Sequence, residues 1–245
     1  MATALLEVSD LSRHFRGLAA VDGLSFRVEQ GRTLAIIGPN GAGKTTTFNL
    51  LSGLLAPTAG RISWAGQDIT GWPAYRRCQA GLGRTFQIVQ PFEDLSVLEN
   101  VMVGALFGRE RNGSVAEARL EAGRLCELVG LARRQDAAVH DLTTADRKRL
   151  EVARALATRP RLLLLDEVME GLTPAEEREA VKLLQQVQAQ GVTLLLIEHV
   201  MLTVRDLSEQ VLVMDYGKKL AEGSYAEVSR DPRVIEAYLG TEAEL

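Results

Sequence analysis

The octapeptide Gly38-Pro39-Asn40-Gly41-Ala42-Gly43-Lys44-Thr45 constrains this chain more than any other stretch. It fits G-x-x-x-x-G-K-[ST] and lies between an apolar run, TLAIIG, and a segment with helical spacing. Glycines there let successive main-chain N–H groups wrap an anion without a Cβ in the way. The helix that follows turns its positive end toward the same place. Lys44 adds a point charge suited to β and γ phosphates, and the Thr45 hydroxyl suits Mg²⁺. Strand, phosphate loop and helix in succession predict an α/β fold.

The rest of the chain supports that fold class. Residues 5–37 read as strands and turns: LLEVSDLSRHF alternates, LSFRVEQG looks like a hairpin arm, and TLAIIG is a short buried strand ending at Gly38,. A helix is expected from Lys44 to about Leu51, stopped by Gly53 and Pro57. GRISWAGQDI suggests a strand pair. From about Val97 to Thr158 the pattern is helical. RLLLLDE and GVTLLLIEH are continuous apolar strands with a helix near Ala175–Gln190 between them, which predicts a parallel sheet covered on both faces. QVLVMDYGKKLAEG reads as a last hairpin, followed by a short helix ending near Leu239. The expectation is one domain over 1–245, with a parallel core sheet, an antiparallel β part and a helical insertion at about 88–160.

Composition narrows the function classes. The chain has 245 residues, 46% hydrophobic, enough for a sizeable core,. A net charge of −4 and a pI near 5.6 argue against wide nucleic-acid contact,. Cys78 and Cys126 are too few and too unrelated for a disulfide framework, which suggests a reducing compartment. No basic, apolar leader marks a secretory signal. The longest apolar runs fall far short of the ~20 residues that cross a bilayer.

Two further features carry chemistry. Asp166 and Glu167 end the apolar run RLLLLDE, and ligand sites of parallel sheets lie at the carboxyl ends of strands. There an aspartate can hold Mg²⁺ through water, and a neighbouring glutamate can polarise an attacking water. Alone, the pair reads equally well as a turn cap. His199 follows TLLLIE. A histidine at a strand end could reach a γ-phosphate, although by itself it reads more simply as a surface loop residue.

The order of these motifs from about Leu6 to Leu239 resembles that of ABC transporter nucleotide-binding subunits. In that resemblance the Walker A loop is GPNGAGKTT, Gly38 to Thr46, and the Walker B strand is LLLLDE. Gln87 in GRTFQ matches the Q-loop glutamine that contacts Mg²⁺ and the attacking water. His199 matches the switch histidine, and Phe15 in RHFRGLAAV matches the aromatic that stacks on adenine. The segments GRTFQ, LSVLENVMVG and above all the closing EVSRDPRVIEAYLG resemble importers of branched-chain and other hydrophobic amino acids. The resemblance implies ATP and Mg²⁺ as cofactors, a second ABC ATPase subunit, membrane permease subunits and, indirectly, an extracytoplasmic solute-binding protein. It also implies peripheral attachment at the cytoplasmic face of the inner membrane, with no nucleic-acid partner.

The sequence departs from the family's pattern in places. The signature loop, commonly LSGGQ, is LTTAD here, so Thr143, Thr144, Ala145 and Asp146 stand where the γ-phosphate of the opposite subunit's ATP is met. Thr143-x-x-Asp146 fits a capping box, so a helix end can still face phosphate. Val168 replaces the usual proline after the Walker B glutamate, and Thr173 replaces the D-loop aspartate. Alternatives are the ATPase of a lipopolysaccharide-type exporter and a weakly hydrolysing partner subunit. A DNA-associated ABC ATPase lacks its coiled coil here, and a GTPase lacks its NKxD motif.

Overall fold

A computed structural model of the chain describes residues 4–86, 91–109 and 114–239. Strands β1 (Ala4–Phe15) and β2 (Leu18–Glu29) form an antiparallel hairpin. Arg16 and Gly17 at its tip both have positive φ, 43° and 96°. Two such residues make the mirror-image turn whose twist matches the flanking strands. Strand β3 (Thr33–Ile37), buried throughout as TLAII requires, runs through the glycine loop into helix α1 (Lys44–Ser52), which stops at left-handed Gly53,. Then come β4 (Ala59–Trp64), β5 (Gln67–Asp68), α2 (Ala74–Gln79) and β6 (Leu82–Arg84). Helices α3 (Val97–Phe107), α4 (Val115–Leu128) and α5 (Thr144–Ala157) follow, then β7 (Leu162–Asp166) and α6 (Pro174–Ala189). The chain continues through β8 (Thr193–Ile197), α7 (Met201–Leu207), β9 (Gln210–Asp215), β10 (Lys218–Gly223), α8 (Tyr225–Val228) and α9 (Pro232–Leu239).

These elements gather into two compact units, one from the chain up to Ala74 and from Thr193 onward, the other from Tyr75–Val192. The first holds an antiparallel sheet in the order β2-β1-β4-β5. It also holds β3 flanked in parallel by β8 and β9, with β10 antiparallel at the edge. All five residues of β3 and of β8 are buried, the signature of a strand covered on both faces,. The second unit pairs β6 with β7 in parallel, Arg84 opposite Leu164, and packs α3, α4 and α5 on one another.

Local sequence explains most helix starts. Among the described residues, α3, α4, α6 and α8 each open on a reciprocal capping box: Ser96 with Glu99, Ser114 with Glu117, Thr173 with Glu176, Ser224 with Glu227,. Thr173, which stands where the family has a D-loop aspartate, therefore starts α6, with Pro174 at the first helical position,. The helical stretch expected from Val97 to Thr158 resolves into α3, α4 and α5. The sequence pattern marks neither β6 nor α2, because 3 and 6 residues are too few to show a period,. Cys126 is buried and its thiol is pushed up to about 11 by desolvation. No helix among the described residues is long and apolar enough to cross a membrane.

One packing contact yields a sharp expectation. A Cβ at Gly104 in α3 would lie 2.5 Å from the Arg154 carbonyl oxygen and 2.9 Å from the Ala157 Cβ of α5. In an exposed helix interior Gly→Ala stabilises by about 1 kcal/mol. Here the substitution must push α3 off α5, so Gly104→Ala is expected to destabilise by about 1–3 kcal/mol. Urea unfolding of the two proteins measures the sign.

Candidate functional site

The glycine loop in the first unit is shaped by contacts that leave no room for side chains. A Cβ on Gly38 would lie 2.1 Å from the Met214 carbonyl oxygen, and one on Gly43 would lie 2.2 Å from that of Ala20. Within the loop Ala42 N–H donates to Pro39 O at 3.2 Å. Gly217, in the turn between β9 and β10, donates its N–H to Ala42 O at 3.1 Å, and Asp22 of β2 donates to Gly217 O at 2.9 Å. Lys44 is buried, and its Nζ donates to Gly38 O at 2.7 Å and Pro39 O at 3.0 Å. Asn40, Gly41 and Thr45 are exposed and Thr46 is half-buried, so the outer rim of the loop and the first turn of α1 are open to a ligand. A tight glycine loop leading into a helix N-terminus, with a lysine bonded to the loop, has the parts of an anion cradle.

His199 lies in the same unit. In the parallel register of β3 and β8, Ile36 stands opposite Ile197. Gly38 and His199 each follow two residues later, so both leave the sheet at the carboxyl end of neighbouring strands. His199 is exposed, whereas Glu198 before it is buried. Phe15 closes β1 at the hairpin tip and is 40% exposed, with the Arg13 guanidinium 4.7 Å from its ring centroid. One ring face therefore already carries a cation–π contact. On α9, burial raises the Tyr238 hydroxyl above its ordinary value and the main chain of Gly38 pulls it part of the way back, an influence that no sequence pattern announces.

The second unit holds the acidic pair. Asp166, the last residue of β7, is buried, and its Oδ2 accepts from Arg84 Nη2 at 2.9 Å. Its N–H donates to Thr85 Oγ1 at 3.1 Å. Burial raises the Asp166 carboxyl above the usual carboxylate range, and Arg84 pulls it part of the way back. Asp166 Oδ1 is buried with no hydrogen-bond partner among the described residues. Glu167 has φ 51°, an uncommon backbone conformation for a residue with a Cβ,. Strain of this kind gathers where a side chain must be aimed. Lys148 of α5 donates its Nζ to the Glu167 carbonyl oxygen at 2.9 Å, holding that backbone.

The LTTAD stretch starts α5. Thr143 Oγ1 accepts the Asp146 N–H at 3.1 Å. The expected capping box is half formed: the Asp146 carboxylate instead accepts from Arg149 Nη1 at 3.4 Å. Aspartate is one methylene shorter than the glutamate that normally reaches back to the N-cap amide. Thr143 and Thr144 are exposed, Ala145 is buried, and the helix N-terminus is intact. Gln87 lies outside the described residues. Phe86 before it donates its N–H to Glu151 Oε1 of α5 at 3.3 Å.

Sequence reading missed Arg84, Thr85, Lys148, Gly217 and Tyr238. Arg84 and Thr85 sit inside GRTFQ, where the residue that matches the family's motif is Gln87. Lys148 is the middle of three consecutive basic residues, Arg147 to Arg149, and nothing local marks the other two.

Comparison with known proteins identifies the family. Residues 21–170 match the family model described as ABC transporter, and residues 218–244 match the one described as branched-chain amino acid ATP-binding cassette transporter. The chain is 38% identical to the high-affinity branched-chain amino acid transport ATP-binding protein BraF of Pseudomonas aeruginosa, over 98% of this chain and 99% of that protein. It is 36% identical to the corresponding protein LivG of Escherichia coli K12, over 98% and 99%. A solved nucleotide-free ATP-binding cassette from an ABC transporter superposes with a TM-score of 0.89 at 30% identity, covering 97% of this chain and 100% of the other. An ATP-binding cassette solved in its ADP conformation gives 0.87, also at 30% identity, covering 97% and 99%. By the family model over residues 21–170 and by these relatives, the chain belongs to the ABC transporter ATP-binding family and is an ATPase.

Proposed function

We propose that this chain is the motor subunit of an importer of branched-chain or other hydrophobic amino acids, a single ATPase domain over 1–245 with a helical insertion at about 88–160. The observation that carries the cargo class is the closing segment, which matches the branched-chain cassette model over 218–244. The exporter and weak-partner alternatives are not favoured by relatives named for branched-chain amino acid transport.

Each site residue then has a role. The loop from Gly38 to Thr46 wraps the phosphates, Lys44 neutralises the β and γ groups, and Phe15 stacks its open face on adenine. The donors fit Mg²⁺, since Asp166 Oδ1 is a buried carboxylate oxygen without a described partner and Thr45 offers an exposed hydroxyl. Gln87 completes the set from the sequence pattern. When bound, the metal neutralises charge that develops on the phosphates. Glu167 orients and polarises the attacking water, and His199 stabilises the γ-phosphate.

The partners are a second ABC ATPase subunit, membrane permeases and, indirectly, an extracytoplasmic binding protein, with this chain peripheral on the cytoplasmic face. Thr143 to Asp146 meet the γ-phosphate held by the opposite subunit, because α5 still presents a capped N-terminus there,.

ATP turnover against protein concentration tests the whole assignment. The expected result is a rate per subunit that rises with concentration and is unchanged within about threefold in Thr144→Gly/Ala145→Gly, since the capped helix end rather than glycine supplies the donors. Absence of turnover at every concentration in the wild type, restored by the two glycines, would overturn the role given to LTTAD.

A further inference from the structure

We infer that Arg84 sets the terms on which Asp166 accepts a divalent cation: it neutralises and orients the carboxylate, so that metal enters only with the negative charge of nucleotide phosphates. This rests on the assignment of Asp166 as the metal's carboxylate. Arg84 Nη2 and Asp166 Oδ2 are 2.9 Å apart, with side chains only 7% and 1% exposed. One carboxylate oxygen is thereby committed to Arg84. The other, Oδ1, is buried with no partner among the described residues and is the one left for a metal or its water.

The holding is done by consecutive residues at the end of β6. Arg84 takes the carboxylate, and Thr85 takes the Asp166 amide on its hydroxyl at 3.1 Å. Thr85 is itself anchored, donating its N–H to Leu164 O at 2.9 Å. The Phe86 ring, 5.1 Å from the Arg84 Cζ, covers the guanidinium. Asp166 therefore has little freedom to swing away from Arg84.

Charge then decides what can bind. A lone buried carboxylate attracts any divalent cation strongly, because the low dielectric magnifies the interaction. Paired with Arg84 the net charge is zero, and a bare cation approaching Oδ1 also meets a full positive charge within a few ångströms. A cation carried by nucleotide phosphates brings its own compensation. Arg84 is thus a positioning residue that makes the site selective for the metal–nucleotide complex over free metal.

The test uses Mn²⁺ as the probe, followed by electron paramagnetic resonance at pH 8.5 on the full chain without nucleotide. Wild type and Arg84→Lys, which keeps the charge, are expected to bind Mn²⁺ weakly. Arg84→Gln is expected to bind it about tenfold tighter or more, a gain that disappears in Arg84→Gln/Asp166→Asn. Arg84→Met, which keeps an apolar stem beneath Phe86, serves if the glutamine variant does not fold. The Mg²⁺ dependence of ATP binding in Asp166→Asn separates the two claims. If Asp166→Asn loses that dependence while the neutral Arg84 variants bind Mn²⁺ no better than wild type, the role of Arg84 is overturned. If Asp166→Asn keeps it, the metal assignment itself fails. Wild-type protein that binds Mn²⁺ alone as tightly as it does with ATP overturns the inference without any variant.

Discussion

Lys44→Ala is expected to weaken ATP binding by about 100-fold or more. Each charge-assisted hydrogen bond to a phosphate contributes about 1.5–3 kcal/mol, and in the proposed assignment Lys44 serves two phosphates. Its Nζ donates to the carbonyl oxygens of Gly38 and Pro39, which tethers the ammonium to the loop. The shape of the loop does not depend on the lysine. It is set by Gly38 against Met214, Gly43 against Ala20, and the hydrogen bond between Gly217 and Ala42. The variant should therefore fold, which thermal melting checks, and equilibrium binding of a fluorescent ATP analogue reads the loss. Unchanged affinity in a folded variant would sink the phosphate-loop assignment.

Glu167→Gln is expected to keep ATP binding and lower turnover by about 100-fold or more, the usual worth of a positioned general base. The substitution preserves size and removes only the charge. The backbone that aims the side chain is held through its carbonyl oxygen, which accepts from Lys148 Nζ. With hydrolysis stalled, two subunits joined across ATP should stay together. Size-exclusion chromatography with light scattering should then show an ATP-dependent dimer in the variant, while the wild type dissociates as it hydrolyses. Normal turnover in Glu167→Gln would remove the role assigned to this residue. The dimer readout separates a chemical defect from a binding defect, since a variant that merely loses ATP would remain monomeric.

Much of this site was legible because its motifs are local. The phosphate loop is one continuous stretch whose glycines are demanded by backbone conformation, and φ values of 151° at Gly38 and 96° at Gly43 bear that out. The apolar runs TLAII, LLLLD and TLLLI are fully buried strands. The parallel pairing of β3 with β8 explains why His199 and the loop emerge at one end of neighbouring strands. The strand ending at Phe15 and the helix ending at Leu239 also lie where the pattern put them.

What escaped the sequence involves partners distant along the chain. Thr143-x-x-Asp146 promised a two-way cap, and Thr143 kept its half while Arg149 drew the Asp146 side chain away. Thr173 looked like a lost aspartate and proved to start α6 with Glu176. Arg84 and Asp166 are 82 residues apart and meet only because β6 lies parallel to β7. Sequence by itself determined the fold class, the phosphate loop and the acidic and histidine strand ends, because each follows from short-range periodicity or from backbone freedom at glycine. Tertiary structure alone decided which charges face each other, that Lys148 holds the Glu167 backbone and that Arg84 holds Asp166. Such pairings depend on strand register and helix packing, which bring together residues that carry no mark of one another in the sequence.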